Sequence, residues 1–234
     1  QAALRIELIS DEAVKTSEIE GEILSRDSVQ SSLRHQFGLG PEQRGVPAAE
    51  RGIAEMMVDL YRAFAAPLTD ATLFNWHEML LAGARDVHVI GGYRTHEDPM
   101  QVVSGPIHKR KVHFEAPPSA AMDHEMVQFL TWFNDSAPGA KNALPALTRS
   151  GLAHLYFVCI HPFEDGNGRI ARAIAEKALD SCPISSREVA GIATSRLPRP
   201  TSSAPAIMLR NGSSIRRVSS SDRTWPPTTG PAVA

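Results

Sequence analysis

Residues 161 to 172, "HPFEDGNGRIAR", bring a histidine, two acids, a Gly-Asn-Gly turn and two arginines into one short stretch. Glycines on either side of an asparagine admit the positive-φ conformations that turn successive backbone N–H groups into one concavity, and such a concavity holds phosphate. Arg169 and Arg172 are spaced i, i+3 at the start of a helical pattern, so both guanidinium forks can address the same polyphosphate. Asp165 supplies a hard oxygen for Mg²⁺, which usually takes only one or two protein carboxylates and completes its shell with water and substrate oxygens. His161 is left over as a base. Each feature alone is ordinary, since a lone histidine after a helix is usually a polar cap and "GNG" is usually a turn. Together, in this order, they specify phosphoryl-group binding plus proton abstraction. The chain contains no GxxxxGK[ST], which excludes a P-loop, and His154 and His161 are not in an HExxH frame, which excludes zincin chemistry.

The elements that must position this stretch are helical. Ile53, Met56, Met57, Leu60, Tyr61 and Phe64 recur at three- and four-residue spacing until "APLTD", where Thr69 or Asp70 can cap the next helix. That helix carries Leu73, Trp76, His77, Leu80 and Leu81. Met122, Met126, Phe129, Leu130 and Phe133 form another stripe, opened by Ser119. "LTRSGLAHLYFVCI" is apolar over most of its circumference and is expected to be the buried central helix. It delivers the chain to His161, Pro162 ends it, Phe163 anchors the loop, and "GNGRIARAIAEKALD" begins a new helix. The loop therefore sits at a helix N-terminus, where unpaired N–H groups and the positive end of the dipole favour an anion. Met56, Met57, Trp76, His77 and Trp132 are read as core packing.

Two stretches break the helical period. In residues 91 to 118, "MQVVSG" and "KVHFE" read as two short strands of an exposed hairpin around "PIHKR". From Ser181 onward serine, proline and arginine dominate, and the segment 181–234 reads as a disordered or atypical tail. The 234-residue chain, 42% hydrophobic with a formal net charge of -2, can bury one good core and has no general attraction to nucleic acid. Cys159 and Cys182 form neither a zinc spacing nor a disulfide framework, which points to a reducing, cytoplasmic setting. No apolar run approaches the roughly 20 residues that span a bilayer.

Residues 161 to 172 resemble the Fic motif, HxFx(D/E)GNGRxxR, at every specified position. The resemblance extends outward over the helical stretch from about Ile53 to Asp180 and its hairpin. It implies a mainly α fold: a Fic-type helical bundle with a short β-hairpin flap, divided into an N-terminal helical segment (1–45), a core (46–180) and the tail. It also implies transfer of AMP from ATP, with Mg²⁺, to a Ser, Thr or Tyr hydroxyl of a target protein. By the motif, His161 would deprotonate that hydroxyl and Asp165 would hold Mg²⁺. Gly166, Asn167, Gly168, Arg169, Ile170, Ala171 and Arg172 would make up the nucleotide cradle. Val112 and His113 would lie near the flap edge that takes up an extended target segment. Family members continue from the motif helix into further helices, and this chain departs from that pattern at Ser181.

Upstream, "TSEIEG" (Thr16 to Gly21) is similar to the inhibitory motif of the same family, (S/T)xxxE(G/N). The resemblance implies that Glu20 pairs with Arg172 and competes with the γ-phosphate. Three functions stay open at this point: an adenylyltransferase restrained by Glu20, a relative that uses another phosphate-containing donor or removes AMP, and a non-enzymatic nucleotide-binding regulator. The presence of both His161 and Asp165 argues against the third, because a pure binder needs no base. Homo-oligomerisation is left open.

Overall fold

The computed structural model describes residues 2–41, 43–106, 109–180 and 208–210. These residues form seven helices and a small antiparallel sheet. The helices are α1 (Ala2–Ile19), α2 (Arg26–Gln36), α3 (Ala48–Arg62), α4 (Asp70–Leu80), α5 (Met122–Asp135), α6 (Ala146–Ile160) and α7 (Asn167–Asp180). The strands are β1 (Gln101–Ser104), β2 (Lys111–Glu115) and β3 (Met208–Arg210).

Each periodic stretch becomes a helix that buries its apolar stripe. α3 buries Ile53, Met56, Met57 and Leu60, and α4 buries Leu73, Trp76 and Leu80. Between the capping candidates Thr69 and Asp70 the structure chooses Thr69, whose side chain accepts a hydrogen bond from the Thr72 amide (3.2 Å). α3 and α4 approach closely at Gly52, where a Cβ would lie 1.8 Å from the Met79 carbonyl oxygen. A short 3₁₀ turn, Ser119–Ala121, leads into α5, which buries Met122, Met126, Phe129, Leu130 and Phe133. The core runs continuously from Ile6, Ile9 and Ala13 of α1 through these helices to Ile170 and Ile174 of α7.

α6 differs from its expectation. It buries Ala153, Phe157 and Ile160, but Leu147, Leu152 and Leu155 are exposed. One face packs on α5 and α7, and among the described residues no element covers the opposite face. The sheet has the order β2-β1-β3, so β2 is an outer strand. β1 and β2 pair as Val102↔Phe114 and Val103↔Val112, which leaves His113 as the extra residue of a β-bulge. β3 pairs with the other edge of β1; three residues are too short a run to announce themselves by period. The remainder of the 181–234 segment, with the expectation attached to it, lies outside the described residues. No helix among the described residues is long and apolar enough to cross a membrane.

Candidate active site

The α6–α7 connection builds the site. His161 caps α6 in the left-handed conformation (φ 53°, ψ 59°), and it is the one non-glycine residue with positive φ among the described residues. That backbone is strained for a residue with a Cβ and persists only where its surroundings dictate it. Arg94 is hydrogen-bonded to this turn at two points. The Arg94 guanidinium Nε donates to the His161 carbonyl (2.9 Å), and the Arg94 amide donates to the Pro162 carbonyl (2.8 Å). Phe163, fully buried, stacks on His77 at 4.1 Å between ring centroids. Asn167 then locks the turn: its Oδ1 accepts from the Phe163 amide (2.9 Å), and its Nδ2 donates to the Phe163 carbonyl (2.8 Å).

This closed loop delivers the N-terminus of α7. Gly166 has φ 79°, and its amide donates to Oδ1 of Asp165 (2.7 Å), leaving the half-buried carboxylate a second oxygen. The first helical amides of α7 have no intrahelical acceptor, so the positive end of the helix opens over Gly168. Ile170 and Ala171 are fully buried in the core, and their side chains serve packing rather than lining the cradle.

Two carboxylates from the end of α1 reach this N-terminus. Gly21 (φ 86°) reverses the chain directly after α1, with the Glu22 amide donating back to the Ser17 carbonyl (3.0 Å). Arg172 donates through Nη2 to Glu20 Oε1 (2.6 Å) and to the Thr16 carbonyl (3.0 Å), and through Nε to Thr16 Oγ1 (2.6 Å). Arg169, buried on the preceding turn, donates to Glu22 Oε2 (2.6 Å). Thus both motif arginines hold acids of the α1 terminus. The Glu20 pair lies where the sequence expectation puts it, and the Glu22 pair was not anticipated.

Burial favours the neutral form of both site histidines. His161 is buried, and its pKa falls to about 4, first through burial and then through Arg94; the Val158 carbonyl and Asp165 oppose the shift. His77 also falls to about 4, chiefly through burial. Its Nδ1 accepts from the Gly91 amide (3.0 Å), so the ring is neutral with the proton on Nε2. His77 therefore packs in the core as the sequence suggested, yet it also supports the loop, with Cδ2 lying 3.7 Å from the position of a Gly166 Cβ. Val112 and His113 lie on the outer strand β2; Val112 is exposed, and the His113 ring shares a hydrogen bond with Ser104 Oγ (2.7 Å).

Residues 67–179 match the Fic/DOC family, and residues 1–39 match a domain of unknown function (DUF4172). Residues 67–179 are a Fic domain. Among solved structures, the chain is similar to a Fic-domain-containing signalling protein from Bacteroides thetaiotaomicron VPI-5482, with 21% identity and a TM-score of 0.57. That match covers 77% of this chain and 66% of the other. It is also similar to Fic-1 from C. elegans, with 22% identity, a TM-score of 0.50 and coverage of 75% and 48%. The chain spans two thirds or less of the length of either relative, and at these identities the likeness concerns the fold. No curated protein matches the chain.

Proposed function

We propose that this Fic domain transfers AMP from ATP to a Ser, Thr or Tyr hydroxyl of a target protein, and that Glu20 restrains it. The observation that carries the reading is the carboxylate at the cradle. A Cβ on Gly168 would lie 2.0 Å from Glu20 Oε1, so an anion already stands at the helix N-terminus against Arg172. A site that accommodates a carboxylate oxygen there can accommodate a phosphate oxygen by the same donors. Adenylyl transfer forms a bond from the target hydroxyl oxygen to the α-phosphorus and breaks the bond to the β-phosphate, releasing pyrophosphate.

His161, neutral at ordinary pH, accepts the hydroxyl proton. The α7 amides and Arg169 hold the phosphates, and Arg172 orients the γ-phosphate once Glu20 has left it. Asp165, next to the cradle with one oxygen not engaged by Gly166, is the residue that would hold Mg²⁺. That ion, when bound, neutralises charge shared between phosphate groups. β2, as the outer strand, offers its free edge to an extended target segment. The test is incubation of wild-type and Glu20→Gly protein with α-labelled nucleotides, Mg²⁺ and a cell lysate, read by gel and mass spectrometry. Label from ATP on protein, stronger with the variant, is the expected result. A folded Glu20→Gly protein that labels nothing overturns the reading.

A further inference from the structure

Arg94 is 2% exposed, and among the described residues its side chain makes no hydrogen bond to a carboxylate. A buried guanidinium without a counter-ion is costly, and an apolar side chain of similar volume would fill the space more cheaply. What this side chain has that an apolar one lacks is a planar fork. Nε donates to the His161 carbonyl (2.9 Å), and Nη2 donates to the Pro117 carbonyl (2.5 Å). Pro117 lies at the root of the hairpin, directly after Ala116, whose amide donates to the Met100 carbonyl (2.8 Å) and closes it. The Arg94 amide adds the bond to Pro162. One residue thus ties the loop that carries His161 to the root of the strand pair that ends in the open β2 edge.

We propose that Arg94 is a positioning residue that holds His161 in its left-handed conformation and fixes the hairpin root at a set distance from it. The inference rests on the adenylyl-transfer reading for what the distance is for: the hydroxyl presented along β2 must arrive where His161 can take its proton, and small misplacements there are expensive in rate. Its charge has a second consequence. The guanidinium beside His161 disfavours the imidazolium, with Asp165 the opposing charge, and so helps to keep the base in its proton-accepting form. Lysine cannot replace it fully, because an ammonium lacks the rigid fork that engages two carbonyls at once.

The test uses the full chain in a Glu20→Gly background, with Arg94→Met and Arg94→Lys. Histidine ring titration by NMR reports on His161, and steady-state transfer reports kcat and the ATP KM. Arg94→Met is expected to raise the His161 pKa by about one unit, a tenfold change in proton affinity, and to lower kcat by roughly 100-fold with the ATP KM near its original value. Arg94→Lys is expected to keep most of the low pKa, since the charge remains, while kcat falls. A folded Arg94→Met protein with an unmoved His161 titration and full kcat overturns the proposal. So does a parallel fall of kcat, ATP affinity and melting temperature with the titration unmoved, which is the signature of a merely structural role. If Arg94→Met does not fold, Arg94→Lys decides: reduced kcat at constant KM supports the proposal, and full kcat overturns it. If the Glu20→Gly parent transfers no nucleotide, the function reading fails, and the His161 titration still decides Arg94.

Discussion

The carboxylate of Glu20 lies directly over Gly168: a methyl group on that glycine would come within 2.0 Å of Oε1 and 3.3 Å of Arg172 Nη1. Acid, glycine and arginine thus meet at one point, the N-terminal opening of α7. On the proposed function, the end of α1 and the first turn of α7 cannot both stay as they are when a polyphosphate enters.

Removing the acid should therefore release the site. Glu20→Gly is expected to raise labelling on the order of tenfold, the effect of about 1.4 kcal/mol of lost competition for Arg172. Arg172→Ala should cancel that gain, because the same guanidinium serves both states. The measurement is a double-mutant comparison of auto-modification and ATP affinity across the four proteins. An additive result would separate Glu20 from Arg172 in function.

Glu22 should act in parallel. Its pair with Arg169 places the arginine side chain at 3% exposure and the acid at 37%. Glu22→Gln keeps the size and removes the charge, so ATP should bind more tightly than to wild type and Arg169 should be free to meet phosphate. Calorimetric titration of ATP into Glu22→Gln, Glu20→Gly and the double variant measures it, with the double variant tightest. Unchanged affinity in Glu22→Gln would make the pair a plain structural tie.

How far the sequence exposed this site depends on chain distance. Asp165 to Arg172 could be read directly, because turn glycines, a helix start and an i, i+3 arginine pair are all local chemistry. The Glu20–Arg172 pair was accessible only through a resemblance. The Arg169–Glu22 contact bridges 147 positions and the Arg94–His161 contact bridges 67, and no periodicity carries information over such spans. α6 is half-exposed where its sequence suggests full burial, because an all-round apolar pattern cannot report which side the bundle covers. The bulge at His113 was hidden because one extra residue leaves a five-residue strand pattern almost unchanged.

Acid should destabilise the fold through its buried histidines. His161 and His77 have folded-state pKa values near 4, below the unfolded value of 6.5. The unfolded chain therefore binds protons that the folded one refuses. The stability they contribute is complete above pH 6.5 and is lost as pH falls toward 4, by as much as about 3 kcal/mol for each ring. Denaturant melts between pH 7.5 and 4.5 should show this slope, and a His77→Gln variant that still folds should show a shallower one. Identical slopes would place the acid sensitivity elsewhere.

The outer strand gives a prediction that separates target from nucleotide. Val112 pairs with Val103 of β1, is exposed, and lies on the outer strand of the sheet, as the described residues form it, beside the bulged His113. Proline at Val112 removes one amide and stiffens the strand. Modification of a target should fall more than ATP affinity does, because on the proposed function the target adds to the main chain of β2 while the nucleotide is held on α7. Equal losses in the two measurements would indicate a folding defect.

Gly168→Ala tests whether carboxylate and phosphate share one place. Alanine is a better helix former than glycine, but Gly168 lies in the first turn of α7, so the substitution should favour the helix by less than the roughly 1 kcal/mol seen in helix interiors. Its methyl group, however, would stand 2.0 Å from Glu20 Oε1 and 2.8 Å from the carboxyl carbon, and only a shift of that side chain can relieve the clash. The Glu20 carboxylate is displaced, as it is removed in Glu20→Gly, but on the proposed function the methyl fills the space a phosphate oxygen needs. The expected protein is folded, has lost the Glu20–Arg172 pair, and neither binds ATP well nor labels a target. Combining it with Glu20→Gly should restore neither binding nor labelling, since the obstruction is then the methyl alone. If Gly168→Ala instead gained activity as Glu20→Gly does, phosphate would bind away from Gly168, and Glu20 would act on Arg172 only, without occupying the nucleotide's own position.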